Sequence, residues 1–476
     1  MSTNRKKYRV RCIKCGGSFQ DIETLCPICG GLCLIEYEKI EIPTNKKRSI
    51  WRYIDGLPIR NEPIISLEEG FTPLISARKI NKKLGLKNLH IKDETRNPMG
   101  AFIDRGMSVE ITKFKEKYKH FVCPTLGDTG ASISAYCARA GIKSTIYVPE
   151  KTNIGKLYQM LLCGAHVNIV RSFEAALYFA ETHRKEARVF SEASPYYMEG
   201  IKTIAYEIAE QLKWVSPDYI IVPMGTGALI TAIYKGFREL LDAEKIDTIP
   251  RLVGVQIEGA DAILRAFKNE EEDNKLVSTT FAIDLHIERP IWRDPALLAI
   301  KKTHGLAISI ENSLIPEFIK LLAETEGIIA EPAAIVSIIA LKYLIRDGSI
   351  LPSEKVVSII TGSGLKTIDI LMSMIPLEKF SKKIIGSTPK AEIKRLGETK
   401  IRILQILSKE PMHGYKIKKM LKNIFGIDIS FPTIYQHLQD LLEYGLVSRI
   451  TKQKKKRTQY YYILTKKGRI LIKKIL

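Results

Sequence analysis

Residues Tyr219–Phe237 read YIIVPMGTGALITAIYKGF. A β-branched run, a short glycine-bearing loop and an amphipathic stretch follow one another, which is the pattern of a strand, a tight turn and a covering helix. The same alternation extends in both directions. FVCPTL (121–126) leads into GASISAYCARAG, STIYVP (144–149) into IGKLYQMLLCGA, and HVNIVR (166–171) precedes FEAALYFAETHRKEA; RLVGVQIEG and VVSIITGSG continue it. Strands alternating with helices of this length imply βαβ units and a parallel sheet covered on both faces, an α/β fold. Ligands in such sheets bind beyond the carboxyl ends of the strands. Here those ends are LGDTG (126–130), MGTGA (224–228) and TGSGLK (361–366). In the second of these, Gly225 and Gly227 would offer free amides at a helix N-terminus, a setting suited to phosphate but also common in purely structural turns. Thr361 and Ser363 bring hydroxyls to the same edge.

The chain of 476 residues carries a formal charge of +22, with 45% apolar and 26% charged residues. That is an ordinary globular balance, sufficient for two to four domains. The charge is uneven: from Ser387 onward there are 21 Lys+Arg against 6 Asp+Glu, so the basic excess sits mainly in the tail and points to a polyanionic partner. The longest apolar run, Ile328–Leu341, is interrupted by Glu331 and too short to span a bilayer, and the first residues lack the apolar stretch of a secretory signal. A cytoplasmic protein is expected, with no membrane partner.

Four cysteines, Cys12, Cys15, Cys26 and Cys29, form C-x2-C-x10-C-x2-C, each pair followed by Gly-Gly. Two such knuckles converge four thiolates on one structural Zn²⁺, giving a zinc ribbon over residues 8–38. The other cysteines have no ligand spacing and read as small buried side chains.

From the ribbon to about residue 375, ten motifs in order resemble threonine synthase, a pyridoxal-phosphate enzyme of the tryptophan-synthase β-like fold (fold type II): WRYIDGLPI, SLEEGFTPL, KDETRNPMGAFIDRG, GASISAYCARAGI, GKLYQ, EGIKTIAYEI, VPMGTGALITAIYKGF, GVQIEGA, EGIIAEPAA and TGSGLK. The resemblance implies a body of two α/β subdomains over residues 50–378. It also implies roles. The family's Schiff-base lysine falls at Ile103, although Asp104, Arg105 and Gly106 keep the turn; isoleucine offers neither amine nor proton shuttle. The family's asparagine, which contacts the cofactor's ring oxygen, falls at Asp128. A carboxylate there is either protonated, or faces a different ligand, or caps the following helix. Gly225, Thr226 and Gly227 match the phosphate loop in part, and Thr361 matches the residue facing the pyridine nitrogen. Lys156, Gln159 and Lys202 match further elements away from the turn. No catalytic residue is therefore assigned, and pyridoxal phosphate is expected to be non-covalent or absent.

Beyond a charged linker (379–398), residues 399–476 show two helices broken at Pro411–Gly414, a third helix over FPTIYQHLQDLLEYG, and two strands joined by TKQKKKR, a winged helix-turn-helix. HGYKIKKML, PTIYQHLQDLLEYGLV and YYYILTKKGR resemble the PadR transcription regulators. That resemblance implies a third helix reading double-stranded DNA through Thr433, Tyr435, Gln436 and Gln439, and a wing placing Lys454, Lys455, Lys456 and Arg457 along phosphates. Together the two resemblances imply a transcription regulator, expected to be a homodimer, whose catalytically inactive body senses an amino acid, a phosphohomoserine-like compound or pyridoxal phosphate. The alternative is an active threonine synthase with a regulatory tail.

Overall fold

The computed structural model describes residues 8–38, 40, 42, 47–270, 280–374, 389–454 and 457–473. Two units separate, one ending at Ile375 and one beginning at Pro376. The first opens with a three-stranded antiparallel sheet in which Tyr8–Cys12 lies between Ser18–Phe19 and Cys33–Tyr37. It ties to the rest of the unit through Tyr37, whose hydroxyl donates to Glu199 (2.5 Å), and through Arg188, which donates to the Glu23 carbonyl (2.7 Å).

Two sheets follow. Four strands in the order 166–170, 143–149, 120–124 and 188–189 are all parallel. Six strands run in the order 306–310, 251–257, 219–223, 355–360, 88–93 and 74–76, with only Leu74–Ser76 antiparallel. The inner strands, 120–124, 219–223, 251–257 and 355–360, are largely buried on both faces, which is why they read as continuous apolar runs, whereas the edge strands 166–170, 306–310 and 74–76 are only partly covered. Helix Pro332–Arg346 lies in the core under the larger sheet, nearly all of its apolar side chains enclosed.

Under the turn after strand Asn88–Asp93, Arg105 is wholly enclosed and bridges Glu94 (2.7 Å) and Glu207 (2.6 Å), while Lys92 pairs with the same Glu207 (2.7 Å). Two cations against two carboxylates make a balanced buried ladder, with Thr72 and Thr203 hydroxyls filling the remaining valences. This ladder fixes residues 94–106, the stretch that carries Ile103.

The second unit contains helices Pro389–Leu407, Gly414–Phe425 and Phe431–Glu443, antiparallel strands Val447–Lys454 and Arg457–Leu464, and helix Lys466–Lys473. The winged helix expected from sequence is present, with one helix beyond the third-helix-and-wing pattern. Within the span expected as linker (379–398), helix begins at Pro389 and bends at Gly397 (φ 69°), where glycine tolerates a left-handed residue. Among the described residues, no helix is long and apolar enough to cross a membrane.

Candidate functional site

Four loops at the carboxyl ends of strands from both sheets converge. The turn carrying Ile103 is clamped to the loop after strand Lys355–Ile360: Phe102 N–H donates to the Thr361 carbonyl (3.0 Å) and Ser363 N–H to that of Gly100 (2.8 Å). Ile103 is buried and opens helix Ile103–Phe114. Asp128 opens helix Asp128–Ala140, but the residue capping that helix is Gly127, and the Asp128 side chain makes no capping hydrogen bond. The cap reading of Asp128 is thus not what its carboxylate does. It turns inward to two lysines, 2.9 Å from Lys156 Nζ and 2.9 Å from Lys366 Nζ.

Lys156 also pairs with Asp284 (2.7 Å) and approaches Glu331 (3.8 Å), which lies 3.4 Å from Lys366. Asp128, Asp284 and Glu331 bring carboxylate oxygens within 4.8 Å of one another around the two ammonium groups. Burial alone would raise the Asp128 pKa; Lys156 and Lys366 override it and hold the carboxyl well below the usual range, so Asp128 is ionised rather than protonated. Burial would lower both lysines, yet their carboxylates raise them above an ordinary lysine. Glu331 is the group that yields: burial and repulsion from Asp128 push it up to about 8. Near neutral pH Lys156 and Lys366 keep their protons, Asp128 is ionised and Glu331 holds a proton. Close by, burial pushes Asp104 up to about 7, although the Ser132 hydroxyl (2.6 Å) and Met99 N–H (2.7 Å) donate to it.

The loop expected to cradle phosphate has a similar enclosure. Thr226 Oγ1 donates to Glu192 (2.7 Å), a half-buried carboxyl whose pKa is raised by desolvation. A Cβ on Gly227 would meet the Trp292 carbonyl at 2.8 Å, and one on Gly225 would meet that of Asp284 at 3.2 Å. These glycines admit the chain's own segment 284–292. Thr361 is buried at the same edge. Lys202 stands elsewhere, between Glu199 and Glu239. Adjoining the cluster at Lys366, a cavity of about 250 Å³ is lined also by Gly100, Gly155, Gln159 and Ser363.

The sequence reading placed Asp128, Thr361, Gly225, Thr226 and Gly227 at the strand ends, where the structure has them, and did not single out Lys366, Glu331, Asp284 or Glu192. Lys366 stood in the quoted TGSGLK. The signal for it was Asp128 itself, since a buried carboxylate requires a cation.

In the ribbon, Cys12 and Cys29 sulfurs lie 3.5 Å apart and those of Cys15 and Cys26 3.7 Å. Four thiolates about 2.3 Å from one zinc stand roughly 3.8 Å apart, so the spacing fits a tetrahedral ion. In the tail, helix Phe431–Glu443 is capped by Ser430 and exposes Tyr435, Gln436 and Gln439, with Thr433 half-buried beside the cap. The strands carrying Lys454 and Arg457 pair at those two residues; Lys455 and Lys456 lie outside the described residues. Tyr462 and Leu464 are buried while Tyr461 and Ile463 are half-buried, the alternation of a strand with one face inward.

Residues 65–362 match the family model described as pyridoxal-phosphate dependent enzyme, and residues 403–474 match the PadR-like family of transcriptional regulators. Threonine synthase from Methanocaldococcus jannaschii is 40% identical over 376 residues, covering 75% of this chain and 93% of the relative. That from Methanosarcina acetivorans is 37% identical, covering 75% and 92%. Among solved structures, maize serine racemase superposes with a TM-score of 0.55 at 21% identity (65% of this chain, 93% of that one). A fungal L-serine ammonia-lyase from Rhizomucor miehei gives 0.55 at 23% (66% and 98%). At these identities the superpositions speak for the fold alone.

Proposed function

Because the chain belongs to the pyridoxal-phosphate dependent enzyme family through a threonine-synthase-like body and carries a PadR-like domain behind it, we propose that it is a DNA-binding transcription regulator whose body senses a small molecule without turning it over. One observation carries this reading. The lysine position of the turn is Ile103, and the two lysines nearest that turn, Lys156 and Lys366, are clasped by carboxylates that keep them protonated. A Schiff base forms from a neutral amine. An amine whose pKa has been raised inside a buried carboxylate cluster is a poor donor.

The same geometry argues against pyridoxal phosphate as a resident cofactor. Carboxylate oxygens of Asp128, Asp284 and Glu331 lie within 4.8 Å of one another, leaving no width for a pyridine ring between them. A phosphate dianion at the Gly225–Gly227 loop would face the Glu192 carboxyl. The residues present do not fit the group. The ribbon, by contrast, fits a structural zinc, and the tail's exposed Tyr435, Gln436 and Gln439 with the basic wing suit a major groove flanked by phosphates. Two-fold operators call for two copies, so a homodimer acting in the cytoplasm completes the reading.

The test is the absorption spectrum of purified protein before and after adding pyridoxal phosphate, followed by borohydride reduction and peptide mapping, with an operator gel shift in parallel. No aldimine band and a shift that changes with a small amino-acid-like ligand are expected. A visible band trapped on Lys366 or Lys156, together with threonine formation from O-phosphohomoserine, would replace the proposal with the enzyme reading.

A further inference from the structure

Helix Ile154–Leu162 turns Ile154, Tyr158, Leu161 and Leu162 outward, at 54–85% exposure. These positions, i, i+4, i+7 and i+8, form one stripe. Helix Ile368–Met374 packs beside it and adds Ile368 and Met372, at 43% and 54% exposure. The two helices are joined where Asn153 Nδ2 donates to Asp369 (3.1 Å). Their surface carries almost no charge. The only side chains in the two segments charged at neutral pH by residue type are Lys156, which is buried in the carboxylate cluster, and Asp369, which Asn153 holds.

Such a face stands out on a chain in which 26% of residues are charged. We infer that the outer face of helices Ile154–Leu162 and Ile368–Met374 is the surface on which a second copy of this chain docks. The inference rests on the regulator reading for why two copies are needed. Three features favour a second copy as occupant. At roughly 200 Å² for a large apolar side chain, the six residues expose on the order of 700 Å², close to the roughly 800 Å² per partner of a standard stable interface. A two-fold contact of like on like asks for an apolar, self-complementary patch, on which no like charges are brought together. Finally, Ile368–Met374 is the last described element of the body. A dimer built there releases both tails beside the symmetry axis. Fifteen residue steps separate Met374 from Pro389, a reach of at most about 50 Å. That is ample for two winged helices to occupy half-sites one turn of DNA, roughly 34–36 Å, apart.

The face also has a cavity behind it. Gly155 and Gln159, on the first helix, and Ser363 and Lys366, just before the second, line the cavity of about 250 Å³. A ligand there would press on the dimer contact from the rear.

The experiment uses the full-length zinc-loaded protein in analytical ultracentrifugation at micromolar concentration. The wild type should be a dimer, and Tyr158→Glu/Leu162→Glu should raise its dissociation constant at least 100-fold. Because both side chains are exposed, the circular dichroism and tryptophan emission of the variant should match wild type. Leu177→Glu, on a helix outside the face and 43% exposed in the wild type, should leave the dimer intact. The salt slope of DNA binding by the double variant should fall to about half. A monomeric wild type would overturn the proposal, leaving the face to the chain's own tail or another protein. A double variant that dimerises like wild type would also overturn it, moving the interface elsewhere, while the operator gel shift of the wild type would still stand or fall on its own.

Discussion

Lys366→Met tests whether the buried cluster is a balanced unit. Lys366 lies 2.9 Å from Asp128 and 3.4 Å from Glu331. At an effective dielectric near 20 the first contact alone is worth about 6 kcal/mol of Coulomb attraction, set against the cost of desolvating both charges. Removing one partner of such a buried pair costs roughly 3–5 kcal/mol, because the other charge stays buried with less compensation. Asp128 keeps Lys156, so the lower figure is expected, about 3 kcal/mol. Asp128→Asn in the same background removes the stranded charge and leaves the Lys156–Asp284 pair (2.7 Å). The double variant should therefore recover at least about 2 kcal/mol, a coupling of the size double-mutant cycles report for contacting residues. Urea unfolding followed by tryptophan emission is the assay, since Trp51, Trp214 and Trp292 all lie in the body and the winged helix has none. A single variant within about 1 kcal/mol of wild type, or a double variant no more stable than Lys366→Met, would refute the claim that these charges are neutralised by one another.

Three further outcomes follow from the same structure. Glu331 and Asp104, pushed up to about 8 and about 7, hold protons in the folded body that the unfolded chain releases near pH 4; their contribution is complete below that pH and is lost as pH rises through 7 and 8. Body stability should fall between pH 5 and 8, and Glu331→Gln should flatten the slope by about one proton, roughly 1.4 kcal/mol per pH unit; an unchanged slope would contradict the assignment. Stripping zinc with a chelator should open residues 8–38 to protease before any other described segment and lower the body's melting point by a few degrees, which limited proteolysis with mass spectrometry reads. Alanine at Lys454, Lys455 and Lys456 should weaken DNA binding and reduce the salt slope by up to about 3; a slope like wild type's would remove the wing from the contact.

What could be read from the sequence was local. Each strand-loop-helix unit announces itself within about 20 residues, so YIIVPMGTGALITAIYKGF became a strand, a glycine turn and a helix as expected. The winged helix was legible for the same reason, its core positions Ile434, Leu438 and Leu441 recurring at helical spacing. The site was legible only as far as loops gather at strand ends. Asp128 could be placed there, but its role depends on Lys366, 238 residues away, and on Lys156, which the sequence assigned only to a motif. Glu331 entered the sequence reading merely as the charge that interrupts an apolar run, though it proves to be the group that absorbs the cluster's excess negative charge.

These misses share a physical cause that bears on function. Loss of the turn lysine at Ile103 would leave a family pocket with a missing cation and no reason to change elsewhere. Instead the pocket contains Asp128 where the resemblance implies an amide, a Glu192 carboxyl against the phosphate loop, and segment 284–292 against both glycines. Asp128, held ionised by Lys156 and Lys366, would oppose an anionic cofactor, and segment 284–292 takes up the space beside both glycines. An unbalanced buried charge costs several kcal/mol, and here each lysine of the pocket is already matched by a carboxylate of the same chain. On the proposed regulator reading, lysines paired in this way suit recognition of a ligand from the adjoining cavity better than chemistry at the pocket's centre.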